Sequence, residues 1–99
     1  MGLGLIGIVM AIEEEFGLAI PDQVAPALST GRTTTAYLVD VLRVRVVNGL
    51  RVPAECLEKG EVSEERVWKM LRKLIAEQAE RPEDEVHPDQ HFIDDLGMG

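Results

Sequence analysis

The sequence predicts an all-α domain, a small bundle of three main helices with a short fourth, a three-to-four-helix bundle. Three observations carry that expectation. Apolar residues recur at helical spacing in three separate stretches, beginning near residues 5, 36 and 67. Clusters of Gly, Pro and Asn lie between those stretches. The chain has 99 residues, 45% of them hydrophobic, which suits one domain with one core. Aromatics are scarce (Trp68, Tyr37, Phe16 and Phe92), so that core must be built from Leu, Ile, Val, Ala and Met.

In the first stretch Leu5, Ile8, Val9, Ile12 and Phe16 fall on one helical face. Gly17 supplies a C-terminal stop, so the helix spans about residues 3 to 16. Its start, Gly2 to Gly7, reads GLGLIG and has the G-x-G-x-x-G spacing of a dinucleotide-binding turn. That turn needs a strand before it and a second strand after the helix. Only Met1 stands before Gly2, and Asp22, placed where a ribose ligand belongs, follows Pro21 with no room for a strand. GLGLIG is therefore read as the weak first turns of the helix, where each mid-helix glycine costs roughly 1 kcal/mol against alanine.

Residues 17–32 hold Pro21, Pro26 and Gly31 and read as loop, pinned by Ile20 and Val24, with a short helix around Val24 to Leu28. Thr33, Thr34 and Thr35 offer an N-cap. Ala36, Val39 and Leu42, with Leu38 beside them, carry the next helix to about Val44, with a strand over Val44 to Val47 as the rival. Residues 46–62 contain Asn48-Gly49, Pro53 and Gly60 and read as a linker. Ser63 caps a helix whose first turn is acidic. Val67, Met70, Leu71, Leu74 and Ile75 give its buried face over about 64 to 79. A polar loop, Pro82 to Gly97, follows, pinned by Val86, Phe92 and Leu96.

Eighteen acids against ten bases leave a net charge of -8. Phosphate binding needs a basic footprint, so nucleic acid is not an expected partner. Acidity suits basic protein surfaces, and equally serves solubility alone. Cys56 is the only cysteine, which leaves no intrachain disulfide and points to a reducing, cytoplasmic setting. The apolar start from Leu3 to Ile12 is too short to span a bilayer and lacks a basic flank, so no membrane segment is expected.

Two stretches resemble one family, the acyl carrier proteins. Ile8-Val9-Met10-Ala11-Ile12-Glu13-Glu14-Glu15-Phe16-Gly17, followed by Ile20-Pro21-Asp22, resembles the second helix of a carrier and its exit loop. Thr34-Thr35-Ala36-Tyr37-Leu38-Val39-Asp40-Val41-Leu42 resembles the last helix. Lys73-Leu74-Ile75-Ala76-Glu77-Gln78, then Glu85-Val86, then Phe92-Ile93-Asp94-Asp95-Leu96-Gly97, resembles the first helix and its long loop. The order is reversed, as if the family's chain were circularly permuted at its Asp-Ser-Leu motif. Residues 1–45 then correspond to the second half of the family fold, 63–99 to the first half, and 46–62 to a linker. That linker spans at most about 56 Å when extended. The new ends, Met1 and Gly99, would meet at the opposite end of the bundle, and chains cut at exposed sites often keep their fold.

The resemblance implies a non-catalytic domain, not an enzyme. Its family role is to carry acyl chains as thioesters on a phosphopantetheine arm for fatty acid or polyketide synthesis, the acyl chain slipping between helices lined by Leu, Ile and Val. It also implies that the attachment serine is absent. Counting back from Met10 places that position at Gly2, and the chain closes on Gly97-Met98-Gly99 without the motif's aspartate. Glycine has no hydroxyl to form the phosphodiester, so no cofactor is expected on this chain. The free N–H groups of the helix start would still favour an anion. Ser29 and Ser63, the only serines, do not align with the attachment site. Partners implied are basic surfaces of acyl-chain-processing enzymes, met by Met10, Glu13 and Glu14; Gly4 and Gly7 stand where the family usually shows acids. The alternative is a carrier-shaped scaffold or binding module that carries nothing, natural or made to test permutation. The linker also allows either a monomer or a dimer that exchanges halves.

Other clusters read as solvated side chains. His87 and His91 are four apart, with Asp89 between and Asp94 and Asp95 beyond, but Pro88 disfavours the helix that would pair them on zinc, and no further nitrogen or sulfur ligand is nearby. Glu13 to Glu15 and Glu83 to Glu85 lack calcium-loop spacing. Cys56 reads as a free thiol. Trp68 lies off its helix stripe and either covers the linker or marks an interface.

Overall fold

A computed structural model describes residues 4–97; Met1 to Leu3, Met98, Gly99 and the side chains of Gly4 and Leu5 lie outside the description. Gly2, matched above to the attachment serine, and the Leu5 side chain, placed above on the helical stripe, are among them. The described chain is predominantly helical: α1 spans Gly4–Phe16, α2 spans Gly31–Val47 and α3 spans Glu64–Ala79. A small hairpin departs from the all-α expectation, with β1 at Leu57–Glu58 pairing antiparallel with β2 at Glu61–Val62.

The first helix buries Ile8, Ile12 and Phe16, with Val9 partly covered. Gly17 ends it at φ +67°, a left-handed conformation that costs glycine nothing. The loop beyond is pinned by Ile20, as its sequence suggests, and by Leu28, which the sequence reading passed over. The short helix expected near residues 24–28 is a single 3₁₀ turn, Ala25–Ala27.

Three corrections concern α2. Its N-cap is Thr30, whose hydroxyl accepts from Thr33 N–H at 3.1 Å, rather than one of Thr33 to Thr35. The cause is tertiary. The loop after α3 reaches back, so that Arg32 N–H donates to Pro88 O at 2.7 Å and Phe92 N–H donates to Ser29 O at 2.9 Å. These ties fix the chain's entry to the helix one turn early. The buried face is Thr34, Thr35, Leu38, Val39 and Leu42, while Ala36 faces solvent. The helix also runs on to Val47, beyond Val44, and the rival strand does not form. Val44 and Val47 project past the core, 59% and 84% exposed, where the helix's own hydrogen bonds suffice.

Residues 46–62 are more than a linker. Pro53 leads into a 3₁₀ turn, Ala54–Cys56, that seats Cys56 in the core at 0% exposure. The hairpin follows at once. Its turn residues Lys59 and Gly60 both have positive φ, 54° and 80°, the type I′ pattern whose twist suits a two-residue loop. Ser63 then caps α3 by accepting from Arg66 N–H at 3.3 Å, and α3 buries Val67, Leu71, Leu74, Ile75 and Ala76. The central helix α3 packs on both α1 and α2. The final loop is pinned by Val86, Phe92 and Leu96, all buried, as expected of the apolar residues in a polar loop.

Candidate functional site

The residues that the carrier resemblance points to lie on α1. Ile6 and Met10, one turn apart, are 56% and 61% exposed, and Glu14 continues the same outer face a turn later. Two apolar side chains and a carboxylate therefore share one solvent-facing strip. Ile6 is the member that sequence reasoning missed; its spacing four residues before Met10 is the signal that could have found it. Glu13 leaves the strip. Its carboxylate turns toward the following loop and accepts from Ile20 N–H at 2.7 Å. The neighbour pair Glu13 and Glu14 thus divides into a half-buried loop anchor and an outward charge. Gly2, the position matched to the attachment serine, lies outside the described residues.

The two serines sit elsewhere. Ser63 holds the start of α3 through its hydroxyl, and Ser29 lies in the loop before α2. His87 and His91 occupy successive turns rather than a helix. The Gln90 side chain accepts from His87 N–H at 2.7 Å, and Asp95 accepts from His91 N–H at 2.8 Å. The carboxylate of Asp95 is thus committed to backbone, and among the described residues no cluster of His, Cys, Asp or Glu is placed to hold a metal ion. Cys56 Sγ lies 3.6 Å from Met70 Sδ, and burial, with a smaller push from Glu55, raises its thiol to about 11. It is a packed core group rather than a nucleophile.

A second constellation lies where α2 and α3 begin. Trp68 turns toward the start of α2. Its ring edge rests on Gly31 so closely that a methyl there would sit 2.6 Å from Trp68 Cζ3. Arg32 and Asp89 pair across the mouth, Nε to Oδ1 at 2.6 Å and Nη2 to Oδ2 at 3.3 Å. The pair holds Asp89 below its ordinary carboxylate range, chiefly through the hydrogen bond. Between these elements is a cleft of about 200 Å³ lined by Trp68, Pro88, Thr35, Arg32, Glu64 and Glu65. A larger groove of about 460 Å³ runs along α3 past Arg66, Lys69 and Arg72. Arg66 and Arg72 meet Glu58 and Glu83 there, at 3.5 and 4.0 Å. Its lining is ionic and unsuited to an acyl chain.

No protein-family model matches the chain, and neither does any curated protein or solved structure. Among the described residues, no helix is long and apolar enough to cross a membrane.

Proposed function

We infer that the chain is a non-catalytic helical domain of acyl-carrier type in permuted order, which docks on acyl-chain-processing enzymes and bears no arm. The observation that carries this reading is the outer strip of α1. The helix whose sequence resembles the family's second helix exposes Ile6, Met10 and Glu14 together. An apolar pair flanked by acid, on a chain of net charge -8, suits a basic surface with an apolar centre. The helix order supports it further: a carrier cut before its second helix would run α1, 3₁₀ turn, α2, connection, α3 and long loop, as this chain does.

Phosphopantetheine does not fit the chain as it stands. Its attachment position is Gly2, and the hydroxyl of Ser63 is engaged with the backbone at the start of α3. The test is intact mass after incubation with coenzyme A and a broad-specificity phosphopantetheinyl transferase. The natural chain is expected to gain nothing. A variant with Gly2→Ser and an aspartate placed before it is expected to gain one arm. Failure of that variant to be modified while its helix content is unchanged would refute the carrier reading, and modification of the natural chain would refute the match of Gly2 to the attachment site.

A further inference from the structure

The Trp68 cleft is independent of the α1 strip and stands whether or not the carrier reading holds. Its parts come from three segments distant in sequence. Glu64, Glu65 and Trp68 belong to the first turns of α3, Arg32 and Thr35 to the start of α2, and Pro88 to the last loop. The cleft exists because Gly31 has no side chain, which lets the indole edge lie on the helix start. Charge around it is unbalanced. Glu64 and Glu65 line the cleft with one guanidinium, Arg32, and that group is already paired with Asp89. One wall is aromatic and apolar, with Trp68 and Pro88. Thr35, another lining residue, is 5% exposed, and its hydroxyl has no hydrogen-bond partner among the described residues. The walls thus offer an aromatic surface and the carboxylates of Glu64 and Glu65, the first of which also feels the Arg32 charge, while the Thr35 hydroxyl oxygen lies buried behind them.

We propose that this cleft receives an arginine side chain from a basic protein partner. A guanidinium is planar and weakly hydrated, so it stacks on indole and pairs with carboxylates at the same time. Its alkyl stem suits the contact with Pro88. A cleft of about 200 Å³ is of side-chain size rather than of cofactor size. The net charge of -8 would draw a basic partner in at long range.

Trp68 is the single tryptophan of the chain, so its emission reports the site directly. The folded protein is titrated with a blocked tetra-arginine peptide at low salt, with blocked tetra-glutamate as the control. A saturable change with tetra-arginine alone is expected. The double variant E64Q/E65Q should weaken it roughly fivefold, the sum of two modest ion pairs. The double variant E14Q/E15Q removes the same charge from α1 and should weaken it less than about twofold, as a distant, screened pair of charges does. Equal weakening by the two variants, or no saturable change at all, would overturn the proposal. Because Glu64 and Glu65 also stabilise the start of α3, Trp68→Ala is titrated in parallel by calorimetry. Binding should be lost in that variant, and its retention would equally overturn the assignment.

Discussion

Two glycines, changed to the same residue, should move stability in opposite directions. Gly7 lies within α1, where alanine gains about 1 kcal/mol of helix propensity. A methyl at Gly7 would sit 2.5 Å from Gln78 Oε1, but Gln78 is exposed and its terminal amide can swing away. Gly7→Ala should therefore stabilise by up to about 1 kcal/mol, raising Tm by roughly 4–8 °C in a domain of this size. Gly31 opens α2, and the same methyl would meet Trp68 Cζ3 at 2.6 Å, Trp68 Cη2 at 3.0 Å and the backbone Cα of Pro88 at 3.3 Å. Ordinary carbon contacts lie near 3.5–4.0 Å, so the overlap is about 1 Å. The indole cannot retreat freely with Pro88 beside it, and overpacking of that kind costs about 1–3 kcal/mol. Set against a propensity gain of up to about 1 kcal/mol, Gly31→Ala should destabilise by up to about 2 kcal/mol. Both substitutions restrict the unfolded chain alike, so that contribution cancels between them. Thermal unfolding followed by circular dichroism decides the matter, with Trp68 emission as a second readout. If Gly31→Ala raises Tm as much as Gly7→Ala does, Trp68 does not rest on α2 and the cleft built on that contact disappears.

Other consequences are separately measurable. Thr30→Ala removes the α2 cap and should cost about 1 kcal/mol in urea unfolding, whereas Thr33→Ala should cost less, since Thr33 contributes its backbone N–H to the cap. Asp89 is held below its usual 3.8 by Arg32, so the pair's contribution is present above that value and fades as pH falls through the lower, folded value. An NMR titration of the Asp89 carboxyl should show the depression in the natural chain and its loss in Arg32→Gln. The Cys56 thiol, raised from 9.0 to about 11, binds its proton more tightly folded than unfolded. Stability should accordingly hold below pH 9, decline as pH rises toward 11, and lose that part of its slope in Cys56→Ala. Cys56 should also resist thiol reagents until the chain is denatured.

The legible parts of this fold are those specified by local chemistry. Ser63-Glu64-Glu65 marks a helix start whatever surrounds it, and the expected span of α3 agrees with the structure. Val86, Phe92 and Leu96 could be recognised as pins because they are apolar residues in an otherwise polar loop, although Ile93 beside Phe92 is 53% exposed. The start of α2 was not legible. Four threonines within Thr30 to Thr35 are all competent caps, and the choice among them is made by Pro88 and Phe92, nearly sixty residues away. Nor was the hairpin: two-residue strands leave no alternation to detect, and Lys59-Gly60 is a weaker turn signal than Asn48-Gly49, which forms no hairpin. At the candidate sites, Met10 and Glu14 came from the carrier resemblance, and three consecutive glutamates cannot disclose which one the Ile20 amide will recruit. The Trp68 cleft depends on a glycine in another helix, and no local pattern announces such a contact.

The structure of residues 46–62 bears on whether two chains could exchange halves. Cys56 and the 3₁₀ turn around it pack against α3, so they would travel with the C-terminal half. What remains as a hinge is residues 48–53. In the folded chain this stretch turns back on α2: Leu50 N–H donates to Arg45 O at 2.8 Å, Gly49 N–H donates to Val46 O at 3.1 Å, and Arg45 Nε donates to Arg51 O at 3.1 Å. Gly49 sits at φ +70°, which the reversal requires. Six residues reach about 20 Å at full extension, so the hinge has little slack. Deleting Asn48 and Gly49 removes the left-handed residue and a third of that reach, and short, strained hinges favour exchange. The natural chain should therefore elute as a monomer on a sizing column, and the deletion variant as a dimer of equal helix content per chain. A deletion variant that stays folded and monomeric would show that the halves close on one another without this turn.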